Sequence, residues 1–293
     1  MLLLTLALLA GSVDSSIVRD IEVAPGEMIR TTSVGTGQPL VLLPGIFGAA
    51  FGYRTITGPL AARGYRVIVV EPLGYGWSGH PKGADYSFSA QGARVGQALD
   101  RLGVSRALFV AQSSGAAIAF RLAILRPGLI SGLLSIDGGP AESAATPGMR
   151  QAFKFGGGLV KLALDESKLR HDVRREIVKN SGDTTWVTDA VIRGYTAGQT
   201  ADMNGSIDAF QRMSKSKEEV PLADHLHECA MPVRLLVGSV SHPAEVTDDQ
   251  RKLLLAKLPD FKTDSVPGSG QYIQEEQPAA VLAAVARLAE AAH

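Results

Sequence analysis

Ser113 is the strongest candidate for a reactive residue in this chain. It lies within residues 109–117, where a short apolar run leads through a tight turn into a helix-favouring segment. Ala111 and Gly115 stand two residues before and after the serine, and a strained nucleophile turn needs this lack of side-chain bulk. The pattern indicates a nucleophilic serine; the alternative is an ordinary strand–turn–helix with a serine N-cap.

Short apolar runs bounded by Gly or Pro predict the strands that position this serine. They lie at residues 39–43, 65–70, 107–110, 133–136, 233–237 and 263–266, after two β-like segments at 17–23 and 28–34. Such runs are typical of strands buried on both faces. Helical patterns alternate with them at residues 55–63, 87–102, 114–126, 247–258 and 278–291. The alternation predicts an α/β fold with a mostly parallel central sheet and flanking helices.

One long segment, residues 141–230, interrupts this alternation because it contains no convincing strand. It is charged and helix-favouring, with amphipathic stretches at residues 161–178 and 187–195. A helical insertion of this length predicts a cap over the edge where the strands end, which is where ligands bind in open α/β sheets. Residues 17–140 and 231–293 then form the predicted core.

Composition excludes several classes of function. The 29 basic and 29 acidic residues balance, which leaves no electrostatic footprint for nucleic acid or anionic membranes. We find no metal-binding motif, phosphate loop or dinucleotide fingerprint, so no cofactor or metal is predicted. Gly156, Gly157 and Gly158 lie inside the insertion and are interpreted as a hinge. The lone Cys229 excludes an intrachain disulfide and is interpreted as a small buried hydrophobe.

Residues 1–16 begin with the apolar run MLLLTLALLA. The run is too short for a transmembrane helix, which needs about 20 residues. Its apolar core and small residues resemble a weak signal peptide or anchor, but it has no positively charged start. The alternatives are a short N-terminal helix that packs on the fold, or a mis-set start codon. Both a cytoplasmic and an exported protein agree with this segment.

Together these motifs resemble the α/β-hydrolase superfamily, in its capped branch of esterases, haloalkane dehalogenases and C–C hydrolases. The resemblance covers residues 17–291. Pro44-Gly45 stands where the family has His-Gly, and residues 71–78 resemble its Asp-x-x-Gly-x-Gly-x-Ser loop, with Glu71 at the start. The family's role for that loop is structural.

The resemblance implies a nucleophile and an oxyanion hole. Ser113 corresponds to the nucleophile, and the backbone N–H groups of Ile46 and Ser114 correspond to the oxyanion donors. A donor of this kind contributes about 3 kcal/mol to acyl transfer. Both are backbone groups, so a change of side chain leaves them in place.

The family's acid has two placements. The usual one follows the strand ending at Gly238, and Ser241 stands there in place of an aspartate. The second follows the preceding strand, where this chain has Asp137. Asp137 is therefore the preferred acid. The alternative is a turn residue that accepts hydrogen bonds from the glycine turn after it.

The position of the family's general base departs from the pattern. In the loop of residues 266–278, the residue after Gly270 is normally a histidine, and this chain has Gln271. A neutral amide cannot accept a proton at useful pH and can only hydrogen-bond Ser113. Removal of the base from a serine triad lowers turnover by up to roughly a millionfold.

His242 is the candidate for a substitute base. It follows the strand ending at Gly238, beside the position of the missing acid, and the alternative is an exposed loop histidine before Pro243. Three interpretations remain: a serine hydrolase of ester type with low activity, or an inactivated variant of one; a lyase, isomerase or cyclase; and a ligand-binding protein without turnover. We expect the first, with a small and largely apolar ligand.

Overall fold

The computed structural model describes residues 16–143, 151, 153–154, 160–161 and 164–292. Within them an eight-stranded sheet has the order β1-β2-β4-β3-β5-β6-β7-β8. The strands are β1 Ile17–Ala24, β2 Glu27–Val34, β3 Gln38–Leu43, β4 Tyr65–Val70, β5 Ala107–Gln112, β6 Ile130–Ile136, β7 Val233–Gly238 and β8 Phe261–Val266. The pairs β1–β2 and β2–β4 are antiparallel and the others are parallel, which confirms the predicted mostly parallel sheet.

Helices flank the sheet and fill much of the insertion. Those of the core are α1 Arg54–Ala61, α2 Phe88–Arg101, α3 Ser114–Leu125, α8 Asp248–Lys257, α9 Ile273–Glu276 and α10 Pro278–Ala291. The insertion helices that lie in residues 164–230 are α4 Glu166–Lys179, α5 Asp189–Ala201, α6 Met203–Lys215 and α7 Leu222–His225. No described helix is long and apolar enough to cross a membrane. The expectations for residues 1–15 and for Gly156, Gly157 and Gly158 fall outside the described residues.

The central strands are buried on both faces because helices cover both sides of the sheet. Every residue of β5 and β6 is buried. One apolar cluster packs α2 and α3 on the first face, and a second packs α1 and α10 on the other. The expectation of two-sided burial is wrong for β8, whose residues 262–265 are exposed. As the outermost strand, β8 has a neighbour on one side only.

Helices of the insertion pack over the loops that follow β3 and β4. Gln199 on α5 donates from Nε2 to the carbonyl of Phe47 at 3.0 Å. The rings of Phe47 and Phe210, the latter on α6, meet edge to face with centroids 4.5 Å apart. The helices of the insertion thus contact the core beside Phe47, and the cap over the ligand-binding edge stays a prediction.

A buried carboxylate joins α5 to the core. The Glu275 side chain is 1% exposed, and its Oε1 accepts a hydrogen bond from the Tyr195 hydroxyl at 2.7 Å and another from Arg54. Burial raises the pKa of Glu275 above its ordinary value, against the lowering effects of Tyr195 and Arg54. The folded protein therefore holds this proton more tightly than the unfolded chain, and the contribution of Glu275 to the free energy of unfolding falls as the pH rises above about 4.5.

We expect Glu275→Gln to weaken this pH dependence, because an amide keeps an acceptor for Tyr195 and carries no charge into the interior. Urea unfolding between pH 4.5 and pH 7 measures the effect, with Glu290→Gln at an exposed position as the control. Burial also raises the pKa of Glu71. Both variants keep Glu71, so its contribution to the pH dependence is the same in both. An equal slope in the two variants would show that Glu275 does not contribute.

Candidate active site

The backbone is strained where three strands end. Among the described residues, the non-glycine residues with positive φ are Phe47, Ser113 and Asp137, at 67°, 50° and 44°. They follow β3, β5 and β6, which are adjacent in the sheet. Such strain costs of order 1–3 kcal/mol per residue and clusters at functional sites. The carboxyl edge of the sheet around Ser113 is therefore the candidate site.

Ser113 occupies a sharp turn between β5 and α3. Its side chain makes no N-cap hydrogen bond, so the ordinary serine N-cap is not what the structure shows. The turn is tight: a Cβ on Gly115 would lie 2.6 Å from the carbonyl oxygen of Leu43, and one on Gly45 would lie 3.0 Å from the Ser113 Cβ. The chain can adopt this turn because the residues that pack against it, Gly45 and Gly115, have no side chains.

The Ile46 N–H already has a partner. It donates to the Ser114 Oγ at 2.8 Å, and Ser114 begins α3 directly after Ser113. Burial raises the pKa of Tyr75 to about 12, and a hydrogen bond with Ser114 opposes that rise. The sequence interpretation overlooked Tyr75, although it lies in the glycine-rich loop of residues 71–78. The Ser114 hydroxyl therefore occupies the Ile46 N–H, which was expected to bind an oxyanion.

Gln271 lies against Ser113. Its Nε2 donates to the Ser113 Oγ at 3.3 Å, and its backbone N–H donates to the carbonyl of Asn180 at 2.7 Å. The Glu276 carboxylate accepts from Gly270 N–H at 3.1 Å and holds the loop further. An amide that donates to Ser113 cannot take its proton. Sequence reasoning thus placed Gln271 correctly beside Ser113, and its chemistry there is that of a hydrogen-bond donor.

Asp137 is buried against His242, not against Gln271. Its Oδ2 lies 3.0 Å from His242 Nε2, with side chains 1% and 2% exposed, and its Oδ1 accepts from Val246 N–H at 3.3 Å. The interpretation of His242 as an exposed loop histidine is wrong. The apolar Val246 is buried and turns the loop back over Asp137, and it is the signal that sequence reasoning missed.

The structure also bears on two other expectations, that Asp137 accepts hydrogen bonds from the glycine turn after it and that Ser241 occupies the family's usual acid position. The glycine turn after Asp137 is held by Ser135, whose Oγ donates to the Gly138 carbonyl at 2.6 Å, and no described hydrogen bond joins Asp137 to it. Ser241, at the family's usual acid position, donates from its exposed hydroxyl to Glu245 at 3.2 Å. Ser241 therefore makes a local contact only.

Glu71 has the contacts of a structural residue. Its carboxylate accepts hydrogen bonds from the N–H groups of Ala50 at 2.9 Å and Trp77 at 2.6 Å. Burial raises its pKa, while these two donors lower it. Glu71 thereby ties the loop of residues 71–78 to the loop that carries Ile46.

Cys229 is buried, and burial raises its pKa to about 12. A thiol with so high a pKa does not supply a thiolate near neutral pH. This environment agrees with the interpretation of Cys229 as a small buried hydrophobe.

Comparisons with known proteins agree with this geometry. A family model described as alpha/beta hydrolase fold matches residues 38–175. The sn-1-specific diacylglycerol lipase ABHD11 of Xenopus laevis is 23% identical over 260 residues, 87% of this chain and 81% of the relative. Haloalkane dehalogenase 2 of Mycobacterium tuberculosis (strain ATCC 25618 / H37Rv) is 26% identical over 268 residues, 88% of this chain and 90% of that protein. The structure of the epoxide hydrolase CorEH without ligand matches with a TM-score of 0.78 at 20% identity, over 94% of this chain and 98% of its own.

The strand order and the strained serine turn after β5 define the α/β-hydrolase fold. The matching family model and the similar hydrolases agree with this fold. This chain therefore has the α/β-hydrolase fold.

Proposed function

We propose that this chain is a carboxylic-ester-type hydrolase that acts through an acyl-enzyme on Ser113. The observation that carries the proposal is the strained turn at Ser113, with φ of 50° and no N-cap bond. A turn of this kind exposes the hydroxyl to a bound carbonyl. The similarity to a protein named as a diacylglycerol lipase supports an ester as the substrate class.

The backbone around Ser113 supports acyl transfer. The N–H groups of Ile46 and Ser114 lie beside the nucleophile, at the N-terminus of α3, where the helix dipole favours negative charge. The partly exposed side chains of Ile46 and Phe47 are apolar and support a small, largely apolar acyl group. Turnover is slow, because the group hydrogen-bonded to Ser113 is the Gln271 amide and not a base.

A fluorophosphonate probe tests the nucleophile directly. We expect the unaltered protein to gain the mass of one phosphonyl group at Ser113 over hours, and Ser113→Ala to gain none. Hydrolysis of p-nitrophenyl butyrate is followed in the same samples. Equal labelling of both proteins would refute the role of Ser113.

A second candidate function is ligand binding without turnover. The observation in its favour is the hydrogen bond from Gln271 Nε2 to the Ser113 Oγ, which holds the hydroxyl un-ionised. Under this account the unaltered protein and a Gln271→His variant both bind an ester and neither hydrolyses it. Conversion of a ligand by the unaltered chain that survives Ser113→Ala would instead indicate a non-hydrolytic enzyme.

The contact between Ser114 and Ile46 gives a further prediction. We expect Ser114→Ala to raise the rate of Ser113 labelling about fivefold, since it frees the Ile46 N–H from a hydrogen bond worth about 1 kcal/mol. Ser114→Thr keeps the hydroxyl and is the matched control. The ¹H–¹⁵N resonance of Ile46 reports the broken bond independently of activity. A fall in rate with Ser114→Ala would show that the hydroxyl helps to bind the oxyanion.

A further inference from the structure

Asp137 and His242 form a buried acid–imidazole pair that the chemistry above does not use. Burying two ionisable groups carries a desolvation penalty that their attraction often fails to offset. The pair is also incompletely satisfied: His242 Nδ1 and Asp137 Oδ2 are buried without an aligned hydrogen bond in the described part of the chain. The Oδ2 lies at ion-pair distance from Nε2, so the nitrogen left without any partner is Nδ1. Buried polar atoms of this kind call for an explanation, such as a water or a reacting group.

The pair lies at the same sheet edge as the nucleophile. Ser113 N–H donates to the carbonyl of Ile136 at 2.9 Å, and Asp137 N–H donates to that of Leu236 at 2.8 Å. A Cβ on Gly138 would lie 2.5 Å from the Ser113 carbonyl oxygen. Asp137 therefore follows the strand next to that of Ser113, and the loop that carries His242 folds over it.

We propose that His242 is the proton acceptor for Ser113, with Asp137 as the residue that positions it. This inference rests on the proposed acyl-enzyme at Ser113. In the family's usual arrangement the acid follows β7 and the base follows β8. In this chain the acid follows β6 and the base follows β7, so each lies one strand closer to Ser113. Histidine is the commonest general base, and it acts directly or through one water. His242 and Ser113 share no described hydrogen bond, and the proposed transfer therefore requires one bridging water.

The steps balance with water as the only co-substrate. The Ser113 Oγ attacks the ester carbonyl carbon while its proton passes to His242 Nδ1, and the alkoxide leaves with that proton. A second water then attacks the acyl carbon and gives its proton to His242. The Ser113 Oγ departs and takes the proton back, which releases a carboxylic acid. Asp137 accepts a hydrogen bond from the imidazolium and stabilises it.

His242→Gln is the direct test, with saturation kinetics of fluorophosphonate labelling as the measurement. We expect the labelling rate constant at saturating probe to fall about 10-fold or more, with the half-saturating probe concentration unchanged. A structural role would lower the unfolding midpoint and leave the rate constant of the folded fraction alone. The matched control is His225→Gln, an exposed histidine paired with Glu228, which is expected to label at the parent rate.

A second variant and a spectroscopic readout keep the proposal open to refutation if His242→Gln does not fold. Asp137→Asn retains an acceptor for Val246 N–H and is expected to lower the same rate constant. The imidazole resonances of His242 are expected to shift when Ser113 is phosphonylated. Unchanged labelling in His242→Gln, with no labelling of Ser113→Ala, would overturn the role of His242 and leave the nucleophile standing. Absence of labelling in both the parent and a Gln271→His variant would overturn both proposals.

Discussion

Replacement of Gln271 by histidine is expected to raise the kcat for p-nitrophenyl butyrate by about a thousandfold. The physical reason is position: Gln271 Nε2 already lies 3.3 Å from the Ser113 Oγ, so an imidazole there can take the proton without a bridging water. A well-placed general base contributes about 10²- to 10⁴-fold. Gln271→Asn shortens the side chain without supplying a base, and it is expected to give no gain.

The size of the increase in kcat depends on whether the new histidine can pair with a carboxylate. Asp137 is engaged by His242 at 3.0 Å and by Val246 N–H at 3.3 Å, so an imidazole at position 271 must compete for this carboxylate. We therefore expect Gln271→His combined with His242→Gln to exceed Gln271→His alone. A double variant slower than the single one would show that His242 still takes part when a closer base is present. No gain in either variant would contradict the ester-hydrolase proposal.

Sequence patterns predicted the backbone of this site well. The strand ends, the turn at Ser113 and the loop that carries Ile46 follow from short apolar runs that stop at small residues, because such signals are local. The position of Gln271 came from a family resemblance and agrees with its contact to Ser113.

The features that the sequence did not predict have a common physical cause. Each depends on contacts between parts of the chain that are distant in sequence. His242 is buried because the loop of residues 239–247 folds back over Asp137, and a single apolar residue, Val246, is too weak a local signal to predict that. The hydrogen bond from Ile46 N–H to Ser114 Oγ joins residues 68 positions apart and has no periodic signal. The exposure of β8 depends on its place at the edge of the sheet.

Gly115→Ala is expected to lower the free energy of unfolding by about 2 kcal/mol, in the range of overpacking substitutions. The added Cβ would lie 2.6 Å from the Leu43 carbonyl oxygen and 2.9 Å from that of Pro44. Both are backbone atoms of the loop that leads to Ile46, so no side chain can rotate away. The loop itself must shift, and the Ile46 N–H shifts with it.

That shift links stability to catalysis at this position. A displacement of about 1 Å in a catalytic geometry can lower a rate 10²-fold, so Gly115→Ala in the Gln271→His background is expected to lose most of the restored activity. Gly83→Ala is the matched control, because its added Cβ would meet no atom within 4 Å and its backbone is not in the left-handed region. There we expect unchanged activity and a gain of up to about 1 kcal/mol, since alanine restricts the unfolded chain. Urea unfolding and ester hydrolysis on the two variants measure both effects. Equal stabilities would mean that the turn at Ser113 tolerates the extra carbon, and the strained nucleophile geometry would then lose its structural basis.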